Sequence, residues 1–160
     1  IPNFGGEQRG GVSIAFVQIA DGGAIGAPKF QKADLLTVLS KRSAERTKGY
    51  LKPGAIYLYD ESAVEAPTIA DQTVGIQGYE TVAPEGFAKV ELTPRVFNII
   101  ILGAIVRFLD VLSPDQVKAA IANKFAEKFR QNPELKALNF QAFEKGLALG
   151  LERELSLSER

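Results

Sequence analysis

The residues best placed to do chemistry lie in one short run, Phe4-Gly5-Gly6-Glu7-Gln8-Arg9-Gly10-Gly11. A carboxylate, an amide and a guanidinium stand side by side, bracketed by Gly5, Gly6, Gly10 and Gly11. Glycine on both sides lets the backbone bend tightly and approach a neighbour closely. Glu7, Gln8 and Arg9 then offer hydrogen bonds and either sign of charge to whatever they face. That is the chemistry of recognition, not of bond-making. The run is no phosphate loop, which needs a Lys-Ser/Thr pair and a helix whose free N–H groups hold the anion. Here Val12-Ser13 and an apolar strand follow. Nor is it a dinucleotide fingerprint, which also opens a helix. A tight loop between two strands is the plain alternative to a binding loop.

What the chain lacks narrows its chemistry further. Its 160 residues include no His and no Cys. Without His it loses the commonest general base and the commonest transition-metal ligand, and a Ser-His-Asp triad is excluded. Without Cys there is no disulfide, no cysteine nucleophile and no thiolate-held iron–sulfur cluster. No catalytic residue, metal site or resident cofactor is therefore assigned to the chain. Demanding chemistry would fall to other chains or to a cofactor they hold. Lys+Arg and Asp+Glu are both 19, a net charge of zero, so nothing electrostatic favours nucleic acid or an anionic membrane. Lys41, Arg42, Arg46 and Lys48 read as a solvated helix face. The sequence opens at Ile1 and has no Met, so upstream residues are expected. No signal peptide is visible, which fits a cytoplasmic protein.

The elements that must position the glycine run follow from periodicity. Residues 12–20 (VSIAFVQIA) are apolar on both alternating faces, the pattern of a strand buried inside a sheet. Asp21-Gly22-Gly23 makes a turn, with residues 24–28 a short hairpin partner. Residues 33–40 form a second strand, residues 41–50 a polar helix ending at Gly49, Leu51-Lys52-Pro53-Gly54 a turn, and residues 55–60 a third strand. Strand, helix, turn and strand in that order are what a parallel crossover needs. Residues 74–77 suggest a fourth strand, and residues 81–94 have no clear pattern. Residues 95–110 read as a helix apolar nearly all round, interrupted by Asn98 and Arg107. The apolar run is too short for a span of about 20 residues, so the helix belongs to a core or a subunit contact. Ser113-Pro114-Asp115-Gln116 begins the next helix with a capping box, and Val117, Ile121, Phe125 and Phe129 form its apolar stripe. Asn132-Pro133 breaks it, and a last helix spans residues 139–153. The expected fold is α/β: three layers, a mostly parallel sheet with flanking helices and a helical C-terminal part. Residues 1–155 make one α/β domain and residues 156–160 a frayed tail.

Three other places invite scrutiny. Asp60 and Glu61 end a strand at the sheet edge where open α/β folds bind ligands, although one carboxylate there is unspecific. Asn98 is a lone amide among aliphatic side chains. If buried it must be paired, at a cost of about 1–3 kcal/mol otherwise, and a hydrogen bond to a neighbouring loop is the expected solution. Gly103 costs its helix about 1 kcal/mol against Ala, which suggests another backbone passing close.

Together these motifs resemble the gamma subunit, or corresponding domain, of the 2-oxoacid:ferredoxin oxidoreductases, the pyruvate, 2-oxoglutarate and ketoisovalerate group. That family's opening, a bulky residue and Pro followed by G-P-E-x-R-G-G and a strand, is similar to Ile1-Pro2-Asn3-Phe4-Gly5-Gly6-Glu7-Gln8-Arg9-Gly10-Gly11. The likeness continues through Ile25-Gly26-Ala27-Pro28, Ala33-Asp34-Leu35-Leu36 and the L-K-P-G turn at Leu51. Asn98-Ile99-Ile100-Ile101-Leu102-Gly103-Ala104 resembles the family's N-x-x-x-L-G-A helix, and residues 139–146 its N-x-x-A-F-x-x-G. Gly6 departs from the family's usual Pro. The family's glycine-rich first strand and turn are expected upstream of Ile1.

The resemblance implies a division of labour. Thiamine diphosphate and iron–sulfur clusters would be held by other subunits, coenzyme A would accept the acyl group, and this chain would serve assembly and access. Its partners would be alpha and beta subunits, with a ferredoxin-like delta subunit as a further candidate. Gly5, Glu7, Gln8, Arg9, Gly10 and Gly11 would then form a loop at the substrate or coenzyme A entrance or at a subunit interface, with Asn98 supporting it. Two other readings compete: a nucleotide- or S-adenosylmethionine-binding Rossmann-like domain, and a stand-alone assembly protein.

Overall fold

The computed structural model describes the backbone of residues 2–3, 11–26, 29–61, 63–65, 72–76 and 93–158. Contacts divide the chain into two units, Ile1–Gly75 and Ile76–Arg160.

In the first unit β1 (Pro2–Asn3) pairs antiparallel with β2 (Ile14–Ala15), Pro2 opposite Ala15 and Asn3 opposite Ile14. A separate sheet contains β3 (Ala33–Val38), β4 (Leu51–Asp60) and β5 (Gln72–Ile76), in the order β3-β4-β5. Between β3 and β4 lie helix α1 (Lys41–Thr47) and a 3-10 turn, Lys48–Tyr50. β3 and β4 are parallel, as the expected crossover requires. Ser40 starts that crossover: its hydroxyl accepts the Ser43 N–H, and the Ser43 hydroxyl accepts the Ser40 N–H, both at 3.2 Å. Lys32 closes it, its Nζ donating to the carbonyls of Gly49 (2.9 Å) and Leu51 (3.1 Å) where helix gives way to strand.

The register decides which side chains meet. Leu36 lies opposite Tyr57 and Val38 opposite Tyr59, and residues two apart share a face. Leu36, Val38, Tyr57 and Tyr59 therefore join Leu51, Ala55, Val64 and Ala44 of α1 in one core cluster. The Leu51-Lys52-Pro53-Gly54 segment is not the separate turn expected from its Pro-Gly pair. It is the first part of β4, and the register shifts between Ala33 and Leu35 to accommodate it. Gly54 adopts φ 74° there, a left-handed conformation open to glycine at no steric cost.

Residues 12–20 differ most from expectation. Only Ile14 and Ala15 are paired. Phe16 is buried, but Val17 is 74% exposed and Ile19 48%. An apolar pattern on both faces reads as a doubly covered strand, yet here burial alternates and one face stays open. Residues 24–26 form no strand, and the rest of the expected hairpin partner lies outside the described residues, as do residues 81–92. β5 overlaps the expected fourth strand at residues 74–76 and starts two residues earlier.

The second unit is helical: α2 (Thr93–Leu109), α3 (Pro114–Lys124), α4 (Ala126–Gln131) and α5 (Pro133–Ser158). α3 begins as its sequence predicts. The Ser113 hydroxyl accepts from Gln116 N–H at 3.2 Å, Gln116 Oε1 accepts from Ser113 N–H at 3.1 Å, and Pro114 occupies the first turn. Val117, Ile121 and Phe129 are buried, while Phe125 ends α3 and starts α4. An ion pair between Lys118 and Glu144 ties α3 to α5. The last helix starts at Pro133 rather than Asn139, because Asn132 caps it, Oδ1 accepting the Glu134 N–H at 3.2 Å. Its backbone runs to Ser158 and so takes in residues 156–158.

α2 and α5 are the most extensively packed pair of helices in the unit. They meet at Gly103 and Gly146. A Cβ on Gly103 would overlap the carbonyl oxygen of Phe143 and come within 2.9 Å of Gly146 Cα. A Cβ on Gly146 would overlap the carbonyl oxygen of Ile100. The glycine that weakens α2 locally thus lets two backbones touch. Ala would recover about 1 kcal/mol of helix propensity at either site, but the atoms it meets are main-chain atoms that cannot swing aside. Gly103→Ala and Gly146→Ala are each expected to destabilise the protein by a net ~2 kcal/mol, read as a lowered urea midpoint. Ser113→Ala should cost about 1 kcal/mol in the same measurement. Unchanged midpoints for the glycine variants would show that close approach of the helices is not required.

Candidate functional site

The glycine run is the connection of an antiparallel pair. β1 ends at Asn3 and β2 begins at Ile14. Gly11 is exposed. Gly5, Glu7, Gln8, Arg9 and Gly10 lie outside the described residues. What anchors the returning strand is Phe16, whose ring makes edge contacts with Phe30 at 5.2 Å and Tyr50 at 5.4 Å between centroids. Tyr50 immediately precedes β4, so one aromatic trio links the end of the hairpin to the start of the crossover strand. Such edge-to-face pairs contribute roughly 0.5–1.5 kcal/mol beyond burial.

At the carboxyl end of the parallel pair stand Asp60 and Glu61. Asp60 is buried, and its carbonyl accepts the N–H groups of Ala63 (3.1 Å) and Val64 (2.9 Å), closing the turn that leaves β4. Glu61 is half-buried, its side chain lying where a Cβ on Gly75 of β5 would be. The missing side chain of Gly75 therefore makes room for this carboxylate. Nothing in the sequence around either residue signalled that pairing, because it joins strands separated by a loop. Among the described residues no group of three or more His, Cys, Asp or Glu could hold a metal ion.

The burial of Asn98, left open by the sequence, is settled here. It is exposed on α2, while Val96, Ile99, Ile100, Ile101, Gly103 and Ala104 around it are buried. The helix is apolar enough to suggest burial all round, but its periodicity turns Asn98 toward solvent. The need for a buried amide to be paired does not arise.

Tyr57 titrates above the ordinary tyrosine range. Its ring packs beside Tyr59 at 5.8 Å, and its hydroxyl pKa is raised from 10.0, first by desolvation, then by the charges of Glu45 and Tyr59. The site is structural, since Tyr57 is only 1% exposed within the core.

The comparisons with known proteins bear on what this scaffold serves. The sequence profile of the pyruvate ferredoxin/flavodoxin oxidoreductase family matches residues 1–149. The chain belongs to that family. It is 30% identical over 152 residues to a 2-oxoglutarate synthase subunit, KorC, of Methanocaldococcus jannaschii, covering 94% of this chain and 75% of the relative. The keto/oxoacid ferredoxin oxidoreductase gamma subunit from Geobacter sulfurreducens aligns with a TM-score of 0.57 and 24% identity, over 74% of this chain and 64% of that one. The 2-oxoglutarate:ferredoxin oxidoreductase from Magnetococcus marinus, solved with 2-oxoglutarate, coenzyme A and succinyl-CoA bound, aligns with a TM-score of 0.54 and 23% identity. That alignment covers 74% of this chain and 20% of the longer one. At such identities the two structures establish a shared α/β fold. The chain spans just under two thirds of the Geobacter subunit. No helix among the described residues is long and apolar enough to cross a membrane.

A raised tyrosine pKa makes stability fall in alkali. The neutral hydroxyl favours the folded state, so its contribution is complete below pH 10 and is lost as pH rises through the higher native value. Tyr57→Phe should leave less stability to lose above pH 10, measured as a flatter dependence of the melting temperature on pH than in the wild type. Parallel curves for the two proteins would show that Tyr57 ionises as freely in the fold as outside it.

Proposed function

We propose that this chain is the gamma component of a thiamine-diphosphate-dependent 2-oxoacid:ferredoxin oxidoreductase, supporting oxidative decarboxylation of a 2-oxo acid to its acyl-CoA without performing the chemical steps. The family match over residues 1–149 carries the reading. The absence of His and Cys supports the division of labour: thiamine diphosphate and iron–sulfur clusters belong to alpha and beta subunits, with a ferredoxin-like delta subunit as a further partner. The complex is cytoplasmic. Residues 1–155 act as one domain, and its sheet is the centre of a three-layer arrangement.

Within that complex Glu7, Gln8 and Arg9, set between Gly5 and Gly10-Gly11, face the coenzyme A or substrate entrance or the subunit boundary beside it. The run lies in sequence between the paired strands β1 and β2, which favours this assignment. Coenzyme A is favoured as the ligand by the Magnetococcus relative, solved with coenzyme A and succinyl-CoA bound. The nucleotide- or S-adenosylmethionine-binding alternative has no observation in its favour.

Two measurements test the reading. Native mass spectrometry of the anaerobically purified protein should find it with larger chains bearing thiamine diphosphate and iron–sulfur clusters; a cofactor-free monomer or homodimer would refute it. Arg9→Ala should reduce activity of the complex or raise its KM for coenzyme A on the order of tenfold, as loss of a charged hydrogen bond would. The variant's melting temperature should not change. An equal loss of stability would make Arg9 a structural residue.

A further inference from the structure

One ammonium and three rings act together at the start of the parallel pair. Lys32 Nζ donates to the Gly49 carbonyl at 2.9 Å and to the Leu51 carbonyl at 3.1 Å, the two carbonyls that flank Tyr50 in sequence. Bonds from an ammonium are charge-assisted, and cationic side chains suit the carbonyls that a helical turn leaves free at its end. Tyr50 supplies one of the two rings against Phe16, at 5.4 Å; Phe30, two residues before Lys32, supplies the other, at 5.2 Å. Lys32 therefore ties together the two segments whose rings hold Phe16. Of the described residues 11–20 Phe16 alone is buried, and Val17 and Ile19 beyond it are open. One side chain thus anchors this stretch, directly after β2, and β2 pairs with β1 through Ile14 and Ala15 only. A two-stranded pairing is marginal by itself, so the place of β2 depends on Phe16.

We propose that Lys32 is a positioning residue for coenzyme A recognition. By holding Tyr50 and Phe30 against Phe16 it fixes β2, the strand to which the Glu7-Gln8-Arg9 run leads in sequence. The inference rests on the coenzyme A reading above. Recognition groups have to be held by neighbours whose own side chains are locked, and the two Lys32 bonds supply that lock for Phe16.

The test uses the assembled complex and its kinetics with coenzyme A. Lys32→Met keeps the aliphatic stem and removes the donors; it should raise KM for coenzyme A about fivefold and leave kcat unchanged. Lys32→Arg keeps a charge and several donors and should stay within about twofold of the wild type. In an Arg9→Ala background Lys32→Met should add nothing, because a residue that acts only by placing Arg9 has no effect once that side chain is gone. Effects that multiply independently, an unchanged KM, a fall in kcat alone, or an Arg variant as impaired as the Met variant overturns the inference. Should Lys32→Met fail to assemble, Phe30→Leu loosens the same anchor and is read against Arg9→Ala in the same way. Failure of both to assemble makes the anchor purely structural and also overturns it. If Arg9→Ala raises KM and Lys32→Met does not, this inference alone falls. If Arg9→Ala itself leaves KM unchanged, the coenzyme A reading falls and this inference with it.

Discussion

Backbone contact at glycine is the constraint on which the helical unit depends. Gly103 and Gly146 lack the atoms that would keep α2 and α5 apart, so Ile100 and Phe143 present their carbonyl oxygens to the opposing helix where a side chain would otherwise sit. Close approach then lets the aliphatic side chains on either side interdigitate, and Ala104, Ala142 and Phe143 become completely buried. The same device works on a smaller scale in the first unit, where Gly75 yields its side-chain space to Glu61. In both cases a residue poor in local propensity is retained because its emptiness is filled by something distant in sequence.

The parallel pair β3 and β4 plays the corresponding part in the first unit. Its register brings Val38 beside Tyr59 and Leu36 beside Tyr57, and α1 contributes Ala44 to that face. Hydrophobic burial here also sets an electrostatic property, because the Tyr57 hydroxyl loses solvent and resists ionisation. The aromatic trio of Phe16, Phe30 and Tyr50 extends the packing to the strand that follows the glycine run.

Legibility varied with how local each signal was. Ser113, Pro114 and Gln116 announce α3 because a capping box is complete within one turn, and the structure forms both of its hydrogen bonds. The crossover from β3 to β4 was readable from the order of its elements. Residues 12–20 were not, since composition counts apolar side chains but does not reveal whether a neighbour covers both faces. Asn98 stayed open for a related reason: apolar residues surround it in sequence, and only the structure placed the amide on the exposed side of α2. The Leu51-Lys52-Pro53-Gly54 segment carries good turn chemistry, yet pairing of Leu51 with Ala33 drew it into the strand and left the irregularity inside the ladder. Asn132 rather than Asn139 starts the final helix, a cap visible in the sequence but read there as a break.

By itself the sequence determined the inventory: no catalytic imidazole or thiolate, a glycine-bracketed polar run, capped helices, a parallel crossover and a motif order that resembles one oxidoreductase family. These are local or compositional properties, fixed by residue type and spacing. Tertiary structure alone decided which glycines meet other backbones, that Val17 and Ile19 stay open while Phe16 is enclosed, and that Asn98 faces outward. Each of those depends on a surface brought in from elsewhere in the chain, and burial is a relation between surfaces, not a property of one segment.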